Sequence, residues 1–170
     1  MKTKIISLMC ASLVLLLAAT AQAQIKANSD EDKAYRKIAA EKNPDAQLLL
    51  CQEFEKQFPQ SKVLPDVLLM AVDVYTAKGD NTKVAEYGEK TLKADPQNIT
   101  ALVAVSRVYA IQRRNLEVAV SYAQKAVDNV EKMKTQPAPS NYSELEWKQL
   151  ISENEQMAKG QLDYSKAVKQ

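Results

Sequence analysis

Histidine is absent from the 170 residues, glycine occurs three times and cysteine twice. Each shortage excludes something. Without histidine the chain lacks the side chain most used for proton transfer near neutral pH, and the commonest metal ligand. No Ser-His-Asp arrangement can be assembled. Glycines at 79, 88 and 160 alone leave no glycine-rich phosphate loop. They also argue against a sheet-rich fold with many tight turns. Cys10 lies inside an N-terminal apolar run, and Ser7-Leu8-Met9 lacks the small residue that precedes a lipidated cysteine. Once that run is removed only Cys51 remains, so neither an internal disulfide nor a thiolate metal cluster is available. In Leu48-Leu49-Leu50-Cys51 the thiol reads as a small core hydrophobe rather than a reactive group.

The carboxylates do not replace the missing chemistry. Asp30-Glu31-Asp32 is the densest acidic run and reads as a solvated helix start, where negative charge suits the helix dipole. Glu53 with Glu55, and Glu144 with Glu146, stand two apart and point to different sides of a helix. A paired-carboxylate site needs both acids facing one cavity. The chain is therefore expected not to be an enzyme, and to hold no cofactor and no metal.

What is present points elsewhere. The chain is 46% hydrophobic and 26% charged, ordinary for a globular protein, and its length suits one domain. Alanine, leucine, lysine, glutamate and glutamine, all good helix formers, are abundant. Residues 1–23 are a separate object. Lys2 and Lys4 precede the nearly unbroken apolar run Ile5–Ala19, and Ala21-Gln22-Ala23 supplies the small residues a signal peptidase reads. At about 1.5 Å per residue the run covers roughly 22 Å, short of the ~30 Å hydrocarbon core. This predicts a secretory signal cleaved between Ala23 and Gln24, a periplasmic or secreted product, and no stable membrane insertion after cleavage. Losing Lys2 and Lys4 reduces the 23 basic residues to 21, matching the 21 acidic ones. A neutral product with no basic block gives no electrostatic case for nucleic acid.

Residues 24–30 read as a short flexible lead. Helices are then predicted over Glu31–Lys42, with Tyr35, Ile38 and Ala39 on one side, and over Ala46–Phe58, with Leu49, Leu50, Phe54 and Phe58 at helical spacing. Asn43-Pro44 can cap and start the second. A third runs from Ser61 or Leu64 to Lys78. A fourth is capped by Asp80 and reaches Ala94, a fifth starts near Asn98 and a sixth near Asn115. Gln136-Pro137-Ala138-Pro139 marks the longest loop, and Ser143 with Glu146 makes a capping box for a seventh helix over 143–169.

Several positions repeat. Leu68 and Leu102 are 34 apart, as are Tyr75 and Tyr109, Asn81 and Asn115, and Val84-Ala85 and Val118-Ala119. Tyr87 and Tyr122 are 35 apart, as are Lys90 and Lys125. Lys56–Ser61 echoes Lys93–Asn98 at a spacing of 37. This period of helix, turn, helix resembles the tetratricopeptide repeat, most clearly over 65–98 and 99–128. Tyr75 and Tyr109 match the aromatic of that family's first helix, Gly79-Asp80 its turn, and Asp95-Pro96-Gln97-Asn98 its closing segment. Residues 36–62 look like a degenerate first repeat. The chain departs from the pattern at Val72 and Ser106, where the small residue of the first helix belongs, and at Arg113-Arg114, which replace the turn glycine.

The resemblance implies an all-α solenoid of antiparallel helix pairs over 31–170, with pairs near 31–60, 61–97 and 98–134 and a long C-terminal capping helix. Such pairs are stable only against their neighbours. Gly160–Gln170 also reads as the first helix of a further repeat; a long cap is expected, and a sequence that stops partway through that repeat is the alternative. The resemblance further implies a concave groove lined by the first helix of each pair. By that alignment Leu69, Met70, Asp73 and Thr76 face it from one unit, and Thr100, Val103, Arg107 and Ile111 from the next. Asp73 and Arg107 occupy matching sites, where they either pair with each other, the expected case, or hold polar groups of a bound peptide. Family members that grip a C-terminal carboxylate use lysine and asparagine; Leu69 and Asp73 stand where two of those would be, so that mode is not expected. Tyr75, Tyr87, Tyr109 and Tyr122 are expected in the core. The functional expectation is an exported scaffold or adaptor that binds proteins or peptides, with homo-oligomerisation within an envelope assembly as the rival.

Overall fold

The structure is a computed structural model that describes residues 25–170. The predicted signal and its cleavage site lie outside the described residues. All regular structure among those residues is helical: α1 (Asp30–Ala40), α2 (Pro44–Gln57), α3 (Leu64–Ala77), α4 (Asn81–Ala94), α5 (Ile99–Ile111), α6 (Leu116–Lys134) and α7 (Glu144–Lys169). The seven helices pack in sequence as adjacent pairs and end in one long helix. A single domain over 31–170 was expected. By compactness the chain divides into two units, one ending at Val74 and the other spanning Tyr75–Gln170. Helices within each unit bury their faces mainly against neighbours in sequence, rather than around one shared core.

In the first unit Ser29 caps α1, its Oγ accepting from Asp32 N at 3.1 Å. Asp32 is not the solvated acid the sequence suggests. It is 1% exposed, and its carboxylate accepts from Asn28 N at 2.8 Å and Arg36 Nε at 3.0 Å. Those bonds, Asn28 first, hold its carboxyl below the usual range. α1 packs on α2 through Tyr35 and Ile38, and Gln47 Nε2 donates to Ile38 O at 3.1 Å. Asn43 caps α2 by accepting from Asp45 N and Ala46 N. The buried face of α2 is Leu48, Cys51 and Phe54, whereas Leu49 is 61% exposed. In a run of three leucines the apolar count does not choose between adjacent faces, and packing on α1 does. Burial pushes the Cys51 thiol up to about 12, which leaves it an inert core group.

In the second unit α5 packs on α4, α6 and α7, and α6 packs on α7. Buried residues run almost all round α5, the pattern of a helix enclosed by its neighbours. α4 comes close because residue 88 is glycine: a Cβ there would stand 2.4 Å from Val105 Cγ2. α6 and α7 are antiparallel, tied near one end by Lys134–Glu155 at 2.8 Å and near the other by Lys169–Glu117 at 2.6 Å. The expected capping box starts α7: Ser143 N donates to Glu146 Oε2 at 2.8 Å, and Glu146 N donates to Ser143 Oγ at 3.2 Å. Ser106 departs from the repeat pattern for a visible reason. Its Oγ donates to Ala119 O at 2.7 Å, and it stands 3.0 Å from Ser165 Oγ, with Gln161 Nε2 donating to both hydroxyls. This buried cluster locks the register of α7 against α5 and α6, since a shifted α7 would strand buried polar groups.

The turn in which Arg113-Arg114 replace glycine repeats the left-handed residue and the closing bond of its counterpart, and departs from it at Asn115, which has φ +50° where Asn81 is helical. Gly79 has φ +72° and Arg113 has φ +49°. Asp80 N donates to Tyr75 O at 3.0 Å, and Arg114 N to Tyr109 O at 2.9 Å. The left-handed backbone costs a side-chain-bearing residue about 1 kcal/mol. Arg113→Gly is therefore expected to raise unfolding stability by up to ~1 kcal/mol, while Gly79→Ala lowers it by a similar amount. Chemical denaturation of the two variants checks the pair of signs.

Candidate functional site

The candidate groove residues fall on two helices. On α3, within the first unit, Leu69 and Met70 are 5% and 4% exposed, and Asp73 is half-buried. Thr76, in the last turn of α3 and already part of the second unit, is exposed. On α5, Thr100, Val103, Arg107 and Ile111 follow one another at three- and four-residue steps and share one face. Val103 is buried, Thr100 and Arg107 are half-buried, and Ile111 is 50% exposed. Leu69, Met70 and Val103 therefore spend their apolar surface inside the protein. The side chains left with surface to offer are Asp73, Thr76, Thr100, Arg107 and Ile111.

Asp73 is the unusual member. Burial pushes its carboxyl up to about 6, and it makes no hydrogen bond or ion pair among the described residues. Arg107 likewise has no charged partner among the described residues. A carboxylate withdrawn from water without a counter-charge costs stability, and the cost disappears when a cation or donor reaches it.

The tyrosines do structural work that the sequence only half reveals. Tyr87 is buried as expected, while Tyr75, Tyr109 and Tyr122 are half-buried. The Tyr75 and Tyr87 rings lie 5.2 Å apart. Tyr109 and Tyr122 both donate to Glu89, at 2.9 and 3.2 Å, so one carboxylate of α4 clasps α5 and α6. Burial first, and then Glu89, pushes the Tyr109 phenol up to about 12. Lys90 sits over the Tyr87 ring at 4.7 Å and Lys125 over Tyr122 at 5.6 Å, so the repeated Tyr-x-x-Lys spacing is a repeated cation–π contact. No local pattern marks Glu89, because its partners lie 20 and 33 residues away.

Among the described residues no group of three or more acidic, cysteine or histidine side chains stands ready for a metal ion. No described helix is long and apolar enough to cross a membrane. Over the described residues the fold is all-α, seven helices packed sequentially in adjacent pairs. No family model, curated protein or solved structure matches the chain.

Proposed function

We propose that this is an exported scaffold or adaptor of the tetratricopeptide-repeat kind, which binds a protein or peptide along the first helices of its pairs. The observation that carries the reading is Asp73. A half-buried carboxylate with no partner among the described residues is a stability cost the chain keeps, and a ligand that supplies a cation or a hydrogen-bond donor removes it. Supporting it, the period near 34 residues recurs in the backbone as a left-handed residue, Gly79 and Arg113, each followed by a bond back to a tyrosine carbonyl. Thr76, Thr100, Arg107 and Ile111 keep surface for a partner. The export reading rests on the amino-terminal sequence pattern.

Two substitutions at one position separate a binding role from a structural one. Asp73→Asn removes the charge penalty. The carboxyl of folded Asp73, near 6, stands above its ordinary 3.8, so its ionisation opposes folding at pH values above about 6. The variant is expected to be more stable than the parent at pH 7 to 8, and the advantage should shrink as pH falls from 6 towards 4. Asp73→Lys is expected to weaken partner capture while leaving helicity intact, read by crosslinking in the native host followed by mass spectrometry. Undiminished capture by Asp73→Lys would remove this carboxylate, and the groove built on it, from the binding surface.

A further inference from the structure

α7 has two unlike sides. Asn154, Ala158, Gln161, Leu162 and Ser165 are buried in the second unit. Ser152, Gln156, Lys159, Gly160, Asp163, Tyr164, Lys166 and Ala167 are exposed. At 100° per residue the exposed set forms one continuous face, with Lys159 and Asp163 on one flank and Gly160 and Tyr164 on the other.

Two features of this face are not explained by contacts among the described residues. Glycine is the least favourable residue after proline in a helix interior, and Gly160 is a mid-helix glycine. At Gly88 the close approach of Val105 explains it; around Gly160 a Cβ would meet nothing within 4 Å. One turn further on, Tyr164 is 44% exposed and makes no ring contact among the described residues, whereas Tyr75 lies against Tyr87 and both Tyr109 and Tyr122 are held by Glu89. On the opposite flank Lys159 binds Glu155 of its own helix, and Asp163 has no partner among the described residues.

Both pairs have the same spacing and almost the same midpoint. When two copies of one helix pack antiparallel about a two-fold axis, each flank meets the like flank of its partner, and residues equidistant from the axis face each other. An axis between residues 161 and 162 sets Lys159 against Asp163 of the second copy, twice, along one flank. The same axis lays Tyr164 over Gly160 of the second copy, twice, along the other, with Gln156 near Ala167 at the ends. An unrelated partner would need only a complementary surface. Here charge and shape are each complementary to themselves, which is what a two-fold contact requires.

We propose that the outer face of α7 is a self-association surface, on which a second copy of this chain docks its own α7 antiparallel about an axis near residues 161 and 162. A single helix face makes a small interface, so the dimer is weak and concentration-dependent. It is independent of the Asp73 reading, and each can fail without the other.

Sedimentation of the purified protein over a concentration series tests it through charge reversal. Lys159→Asp places like charges opposite Asp163 of the second copy, and Asp163→Lys places like charges opposite Lys159. Each variant alone is expected to associate at least about tenfold more weakly than the parent. An equimolar mixture of the two is expected to recover association, because each reversed copy then faces its complement at both contacts. Gly160→Leu guards against misfolding as the explanation. It is expected to raise the melting temperature, since it improves helix propensity into open space, and yet to abolish association by filling the notch for Tyr164. The proposal is overturned by a parent that stays monomeric throughout, by single reversals that associate as the parent does, by a mixture that remains monomeric, or by a Gly160→Leu variant that still dimerises.

Discussion

Phe54→Ala is expected to cost about 3–5 kcal/mol, the range for deleting a fully buried aromatic side chain. Phe54 is 1% exposed, its ring centroid lies 5.0 Å from that of Phe58, and it shares its face of α2 with Leu48 and Cys51. The alanine would forfeit the burial of the ring and leave a cavity that α1 and α2 fill only by shifting. The comparison that gives the result its meaning is Leu49→Ala. Leu49 belongs to the same apolar run but is 61% exposed, and its truncation should change stability by less than ~0.5 kcal/mol. Urea unfolding of both variants, with amide exchange across α1 and α2 to localise the effect, measures the difference. Similar losses at both positions would mean that the face of α2 was wrongly assigned.

Gly88→Ala should run against the usual rule. Replacing a helix-interior glycine by alanine ordinarily gains up to ~1 kcal/mol. At residue 88 the new methyl would stand 2.4 Å from Val105 Cγ2, so α4 and α5 must move apart. Overpacking of this kind costs about 1–3 kcal/mol, so a net destabilisation of about 1–2 kcal/mol is expected. Val105→Ala clears the space. In the double variant the two losses should add to less than their sum, with a coupling of at least ~0.5 kcal/mol. Strict additivity would show that the helices are not held by this contact. The outcome matters beyond one residue, because α4, α5 and α6 are also joined through Glu89. Forcing α4 away from α5 strains the bonds from Tyr109 and Tyr122 that hold that carboxylate.

Much of the helical layout was legible because its signals are local. Asn43, Asp80 and Ser143 cap the helices they were expected to cap, and Asn98 caps α5, since each bond joins a side chain to a backbone amide two or three residues away. Asn115 is the exception: it precedes α6 with φ +50° and makes no capping bond through its side chain. The turn at Arg113 was harder to foresee, since the repeat pattern asks for glycine and arginine occupies the same left-handed backbone. The surface was less legible than the helices. Leu69, Met70 and Val103 were assigned to an open groove wall, yet they are buried. Alignment to a repeat reports which way a residue points, but not how much of it a neighbouring helix covers.

By itself the sequence determined an all-helical chain, the places where its helices begin and end, and the poverty of catalytic side chains, because each follows from composition or from interactions within one or two turns. Tertiary structure alone decided which face of α2 is core, why Ser106 must be small and polar, that Glu89 joins three helices, and that Asp73 stands without a partner among the described residues. Each of those depends on which distant side chain removes water or supplies a hydrogen bond, and that is set only when helices far apart in sequence come into contact.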